Sequence, residues 1–176
     1  VQTVLFGEAS ELTEIGRYAF AESRLQTISL PDTLTRIDYH AFREAASLTA
    51  IDLGNPSEMM IMGEAFYRSG LQSVTIPAGV IYLGDFCFTG CSSLDAISVA
   101  ENSTHYSAID GVLFDKAATK LITCPSGKTG SYTVADTVSS FAFGAFEGCH
   151  LSEIHLGENS SLITIGYRAF YDCDSL

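Results

Sequence analysis

Tryptophan is missing from the 176-residue chain, and positive charge is scarce. Nine Lys and Arg stand against 21 Asp and Glu, a formal net charge of −12. A phosphate-binding surface needs a basic stripe, and the three Lys (Lys116, Lys120, Lys128) are gathered in one segment. Nucleic acid is therefore not an expected partner, and an anionic membrane surface is argued against on the same ground. No run of 18 apolar residues occurs, so no membrane-spanning helix is expected. No signal peptide opens the chain, which begins at Val1 and reads as part of something longer. Catalytic signatures are missing too. There is no G-x-S-x-G elbow, H-E-x-x-H pair, P-loop or G-x-G-x-x-G. His40, His105, His150 and His155 share no ligand spacing, and the carboxylates recur at no fixed offset. No enzyme, metal or cofactor is expected, and the chain is expected to be a single monomeric domain over residues 1–176.

What is present is a repeat. Leu25, Leu48, Leu71 and Leu94 follow one another at a spacing of 23, and Ala-Phe recurs at Ala19-Phe20, Ala41-Phe42, Ala65-Phe66, Ala145-Phe146 and Ala169-Phe170. Cys87-Phe88 is a variant of that pair. Within a unit, Ile28 and Leu30 alternate with Thr27 and Ser29, the period of a half-buried strand. A unit of this size cannot bury its apolar face alone, so neighbours must stack and bury it together. The pattern predicts seven strand segments in one parallel sheet: Val4–Phe6, Ile28–Leu30, Ile51–Leu53, Val74–Ile76, Ile97–Val99, Tyr132–Val134 and Ile154–Leu156. Pro31 and Pro77 end their strands by removing a ladder donor. Phe20, Phe42, Phe66, Phe88, Phe146 and Phe170 are predicted to stack as a spine inside the coil. The unit from Leu48 is looser, with Met59 and Met62 at its inward positions.

The wording of the units, "LQTISLPDTLTRIDYHAFREA" and "LQSVTIPAGVIYLGDFCFTGC", resembles the BspA-like, or Treponema pallidum-type, leucine-rich repeat family. The resemblance runs from about Val4 to Leu176. It implies a right-handed leucine-rich-repeat solenoid: a parallel sheet of about seven short strands, a second side of short extended or 3-10 segments, and no long helices. It also implies a bacterial or protist protein, secreted or on the cell surface, that binds a protein or glycan on a host or neighbouring cell. A spacer that projects another domain is the alternative reading, and an enzyme-accessory module a third.

The five cysteines fit small buried slots better than disulfides. Cys91, Cys149 and Cys173 each lie three residues after the motif Phe, where Ser23, Ala45 and Ser69 stand in other units. Free Cys behaves in such a slot as a small hydrophobe. Cys149 and Cys173 are candidates for stacked neighbours, without an expected disulfide.

Spacing fails between Leu94 and Leu151, and the irregularity lies in 100–131. Val112–Phe114 and Leu121–Thr123 predict a β-hairpin closed through Asp115–Lys120, flanked by Asp110-Gly111 and Ser126-Gly127 turns. Either this segment is a variant turn that keeps the coil continuous, or it is a functional protrusion. Its tip, Lys116–Thr119, is expected to be dispensable for stability. Tyr106, Lys116 and Lys120 are its candidate contact residues, and Tyr82 and His105 are further aromatic and basic candidates away from the sheet face. The other candidate surface is the outward column Ser29, Asp52, Thr75, Ser98, Thr133 and His155. A parallel column, Thr27, Ala50, Ser73, Ala96, Ser131 and Glu153, lies beside it. Both columns lack the Trp, Tyr and Arg that dominate binding hot spots.

Overall fold

The computed structural model describes residues 2–176. Short alternating runs cut off by Pro or Gly can form only short strands, and each regular turn supplies two of them. They are β1 (Thr3–Val4) and β2 (Glu14–Ile15), β3 (Thr27–Ser29) and β4 (Arg36–Ile37), β5 (Ala50–Asp52) and β6 (Met59–Ile61), and β7 (Ser73–Ile76) and β8 (Val80–Leu83). The irregular region holds β9 (Ala96–Val99), β10 (Tyr106–Ile109), β11 (Val112–Asp115) and β12 (Lys120–Thr123). The coil resumes with β13 (Thr129–Val134), β14 (Ser140–Phe141), β15 (His150–Leu156) and β16 (Thr164–Ile165). No helix occurs among the described residues. The whole is a β-solenoid of about seven turns.

Each of the seven predicted segments overlaps a strand, the first only at Val4, but they do not form one unbroken sheet. They fall into hydrogen-bonded groups β1-β3-β5, β7-β9 and β13-β15. The first break follows the loop from Leu53 to Met59, two residues longer than its counterpart from Leu30 to Leu34. Pro56 of that loop packs so closely on Gly79 that a side chain there would strike its carbonyl. At the second break the β10–β11 turn replaces a strand, and Ile97 N–H donates to Gly111 O at 2.9 Å. The second side is a ladder in its own right, β2-β4-β6-β8 and then β12-β14-β16. Ile61 pairs with Ile37 and is fully buried, so Ile61 rather than Met62 fills the inward position of the looser turn.

Each regular turn closes through a tight bend on a third side, here termed the turn face. Two residues per regular bend adopt left-handed backbone. One column is Tyr18, His40, Glu64, Phe86, Gly144 and Arg168, and the other Glu22, Glu44, Arg68, Gly90, Gly148 and Asp172. Non-Gly residues there are disfavoured by roughly 1–2 kcal/mol each. The bend is held by its own hydrogen-bond ladder. Phe20, Phe42, Phe66, Cys124 and Phe146 N–H groups donate to Ala41, Ala65, Cys87, Ala145 and Ala169 carbonyls at 2.7–3.0 Å.

Inside, the spine forms as predicted. Phe20, Phe42, Phe66 and Phe88 stack at 5.1–5.4 Å with planes within 10°, and Phe146 stacks on Phe170 at 5.2 Å. Cys124 occupies the spine position of the irregular turn, which therefore continues the coil.

That irregular turn is out of register, and two buried side chains repair the seam. Tyr106 Oη accepts the Leu83 N–H at 2.8 Å, in place of a neighbouring strand's carbonyl. Ser126 Oγ accepts the Gly90 N–H at 3.2 Å and donates to Glu147 O at 3.3 Å. The predicted hairpin is present as β11 antiparallel to β12, and β10 adds a further antiparallel strand across the Asp110-Gly111 turn. Its tip is tied into the coil by hydrogen bonds. The Asp115 carboxylate caps Thr119 and Lys120, and Thr119 O accepts the Ser139 N–H at 2.8 Å. Backbone at the tip thus belongs to the second-side ladder.

Candidate interaction surface

Ser29, Asp52, Thr75, Ser98, Thr133 and His155 are all exposed, as a strand with its apolar partners turned inward requires. Sheet register sets them in pairs: Ser29 beside Asp52, Thr75 beside Ser98, Thr133 beside His155. The broken ladder between β5 and β7 opens a cleft of about 540 Å³, lined by Asp52, Thr75, Asn55, Pro56 and Asn102 among others. Asp52 and Thr75 are thus brought together, whereas Ser98, Thr133 and His155 stand on open sheet. Asp52 Oδ1 accepts the Gly54 N–H at 3.0 Å, and His155 contacts Glu153 at 3.0 Å.

The irregular segment divides its candidates. Lys116 and Lys120 are exposed. Tyr106 is only 9% exposed, and its hydroxyl accepts the Leu83 N–H, which leaves little of it open to a partner.

All five cysteines are free. Burial pushes the Cys91 thiol up to about 11 and the Cys124 and Cys173 thiols up to about 12, which disfavours thiolate at neutral pH. Cys149 and Cys173 are stacked neighbours, with Sγ atoms 3.5 Å apart. No cluster of three potential metal ligands occurs among the described residues. Two carboxyls are displaced in opposite directions. Burial raises Glu147, against the pull of Arg168 at 2.6 Å. At Asp38 burial also acts upward, but the Tyr39 N–H and the Arg36 and Arg17 guanidiniums outweigh it and hold the group below its usual range.

The residues that sequence reasoning missed lie on the turn face. Tyr18, Tyr39, Tyr67, Phe86, Phe143, Tyr167 and Tyr171 sit there with Arg17, Arg43, Arg68 and Arg168, more than half of the Tyr and Arg of the chain. The signal was available in the variable positions beside each Ala-Phe pair. Their shared direction depends on the left-handed bend, which the repeat pattern does not announce.

Parallel short-strand ladders around a stacked Phe core define a leucine-rich-repeat solenoid. The chain belongs to the BspA type leucine rich repeat region family, which matches in six copies over residues 13–129 and 125–176. It is similar to the pneumococcal vaccine antigen PcpA, with 32% identity and a TM-score of 0.91 over 98% of this chain and 43% of that one. It is also similar to a leucine rich cell surface protein of Faecalibacterium prausnitzii, with 25% identity and a TM-score of 0.79 over 100% of this chain and 53% of that one. The leucine rich repeat protein of T. pallidum shares the fold at 22% identity and a TM-score of 0.53, over 99% of this chain and 78% of that one. This chain thus spans about half the length of the first two structures. No curated protein sequence matches it.

Proposed function

We propose that the chain is a non-catalytic, surface-displayed interaction module, through which its parent protein attaches to a protein or glycan of a host or neighbouring cell. The observation that carries this reading is the exposed polar strand side, carried by three ladders over seven strands and opened between the first two into the Asp52–Thr75 cleft. In solenoids the extended surface is the usual binding site, because the apolar residues are consumed by stacking. Likeness to a vaccine antigen and to a cell surface protein supports display outside the cell. The burial of Tyr106 weakens the case for the hairpin and favours the strand side.

The test is surface plasmon resonance of the immobilised chain against a panel of extracellular proteins and glycans. Saturable binding that Asp52→Ala with Thr75→Ala weakens, and that Lys116→Ser with Lys120→Ser leaves intact, is the expected result. The reverse pattern assigns binding to the hairpin. The small hydroxylic strand columns favour a second reading, a spacer for other domains. Absence of binding across the panel would establish it over the first.

A further inference from the structure

The turn face repeats one arrangement three times: a guanidinium lies over a tyrosine ring and pairs with a carboxylate. Arg17 lies 5.1 Å from the Tyr39 centroid and 3.4 Å from Asp38. Arg43 lies 4.8 Å from Tyr67 and 2.8 Å from Glu64. Arg168 lies 4.0 Å from Tyr171 and 2.6 Å from Glu147. Beside these, a ring on β8 of the second side and a carboxylate of the adjoining bend stand without a guanidinium. Tyr82 is 46% exposed, and no cation lies over its ring among the described residues. The Asp85 carboxylate is exposed and makes no ion pair there.

Tyr82 and Asp85 line a cleft of about 210 Å³ with Tyr39, His40, Gly63, Glu64 and Phe86. Gly63 is what keeps it open: a Cβ there would sit 3.4 Å from the Tyr39 ring and 3.1 Å from Asp85 O. Glu64 is already held by Arg43, which leaves Asp85 as the carboxylate available to a ligand. Lys120 lines the cleft on the other side of Asp85 without pairing with it. Aromatic walls and an unpaired carboxylate favour a cation. A planar guanidinium stacks and forks to a carboxylate where an ammonium cannot. The net charge of −12 draws basic partners toward the chain.

We propose that this cleft binds an arginine side chain on the surface of a partner protein, a step that rests on the interaction-module reading. The probe is a capped Gly-Gly-Arg-Gly-Gly peptide, compared with its citrulline isostere, which has the same shape and no charge. Two-dimensional NMR titration of the intact chain reads the signals of Tyr82 and Asp85. The arginine peptide moves them saturably at millimolar concentration and the citrulline peptide does not. Tyr82→Ala and Asp85→Asn, both at exposed positions, each weaken binding by about tenfold, since each removes one half of a charge-assisted or cation–π contact. Glu158→Gln makes the same charge change at a remote exposed site and leaves the affinity unchanged. Equal response to arginine and citrulline overturns the proposal. So does a Glu158→Gln loss as large as that of Asp85→Asn, which would reduce the effect to net charge. Maltohexaose moving the same signals while arginine fails would make the cleft a glycan site. Because the peptide assay needs no natural partner, its failure leaves the interaction-module reading standing. Absence of binding across the panel with the peptide still bound would remove that reading instead.

Discussion

Ser126→Ala tests whether a single hydroxyl joins the two halves of the coil. Ser126 is 2% exposed and lies between Gly90 of one regular turn and Glu147 of another. In the regular bends, backbone carbonyls receive these N–H groups directly, as Arg43 O receives Glu22 N–H at 2.8 Å. The irregular turn offers no carbonyl to Gly90, and Ser126 Oγ substitutes. Its removal orphans a donor and an acceptor together. An orphaned buried polar group costs about 1–3 kcal/mol. Gly90 is half-buried and can recover some hydration, so a total of roughly 2–3 kcal/mol is expected, toward the lower part of the combined range. At this chain length that lowers Tm by roughly 4–12 °C. Urea unfolding followed by far-ultraviolet circular dichroism gives the total, and native-state hydrogen exchange at the Gly90 amide gives the local part. Ser98→Ala, on exposed strand, is the control and stays within about 0.5 kcal/mol. A Ser126→Ala midpoint matching that control, with Gly90 protection unchanged, would refute the splice.

Phe88→Ala removes a ring that is 1% exposed and stacked on Phe66 at 5.4 Å, and should cost about 3–5 kcal/mol in denaturant melts. Because stacked turns share stability only with neighbours, hydrogen exchange in that variant should rise first around the fourth turn. Tyr106→Phe leaves the Leu83 N–H without its acceptor and should lower stability by about 1–2 kcal/mol, measured the same way, whereas a pure contact residue would show no loss. Deleting Lys116–Thr119 should lower the melting temperature, because Thr119 O anchors Ser139; an unchanged melt would restore the protrusion reading. Asp38 titrates below its unfolded value of 3.8, so its stabilisation is present above that pH and is lost as pH falls through the folded value. Asp38→Asn should therefore flatten the acid side of the stability profile. Glu147 is raised above 4.5 and acts oppositely: its contribution is full below that value and is lost as pH rises, so Glu147→Gln should remove that loss in pH-dependent urea melts.

The repeat alone determined the class of this protein. The Leu spacing of 23 and the recurring Ala-Phe pair leave no solution but stacking, since no single unit can bury Ile28, Leu30, Leu34 and Phe42 by itself. The Phe spine and the seven strand segments follow from that periodicity, because inward positions recur on every turn. Tertiary structure decided what happens where the period fails. Which partner each unpaired backbone group finds is a matter of three-dimensional register, and hydroxyls of Tyr106 and Ser126 carry no mark in the sequence that they face Leu83 and Gly90. For that reason the sequence offers Tyr106 as a contact residue, whereas its hydroxyl accepts the Leu83 N–H in the structure. The turn face was hidden for a related reason. Residues such as Tyr39 and Tyr67 occupy different unit positions, and only left-handed bends at His40 and Glu64, stacked by the ladder behind them, place the rings and guanidiniums on one surface.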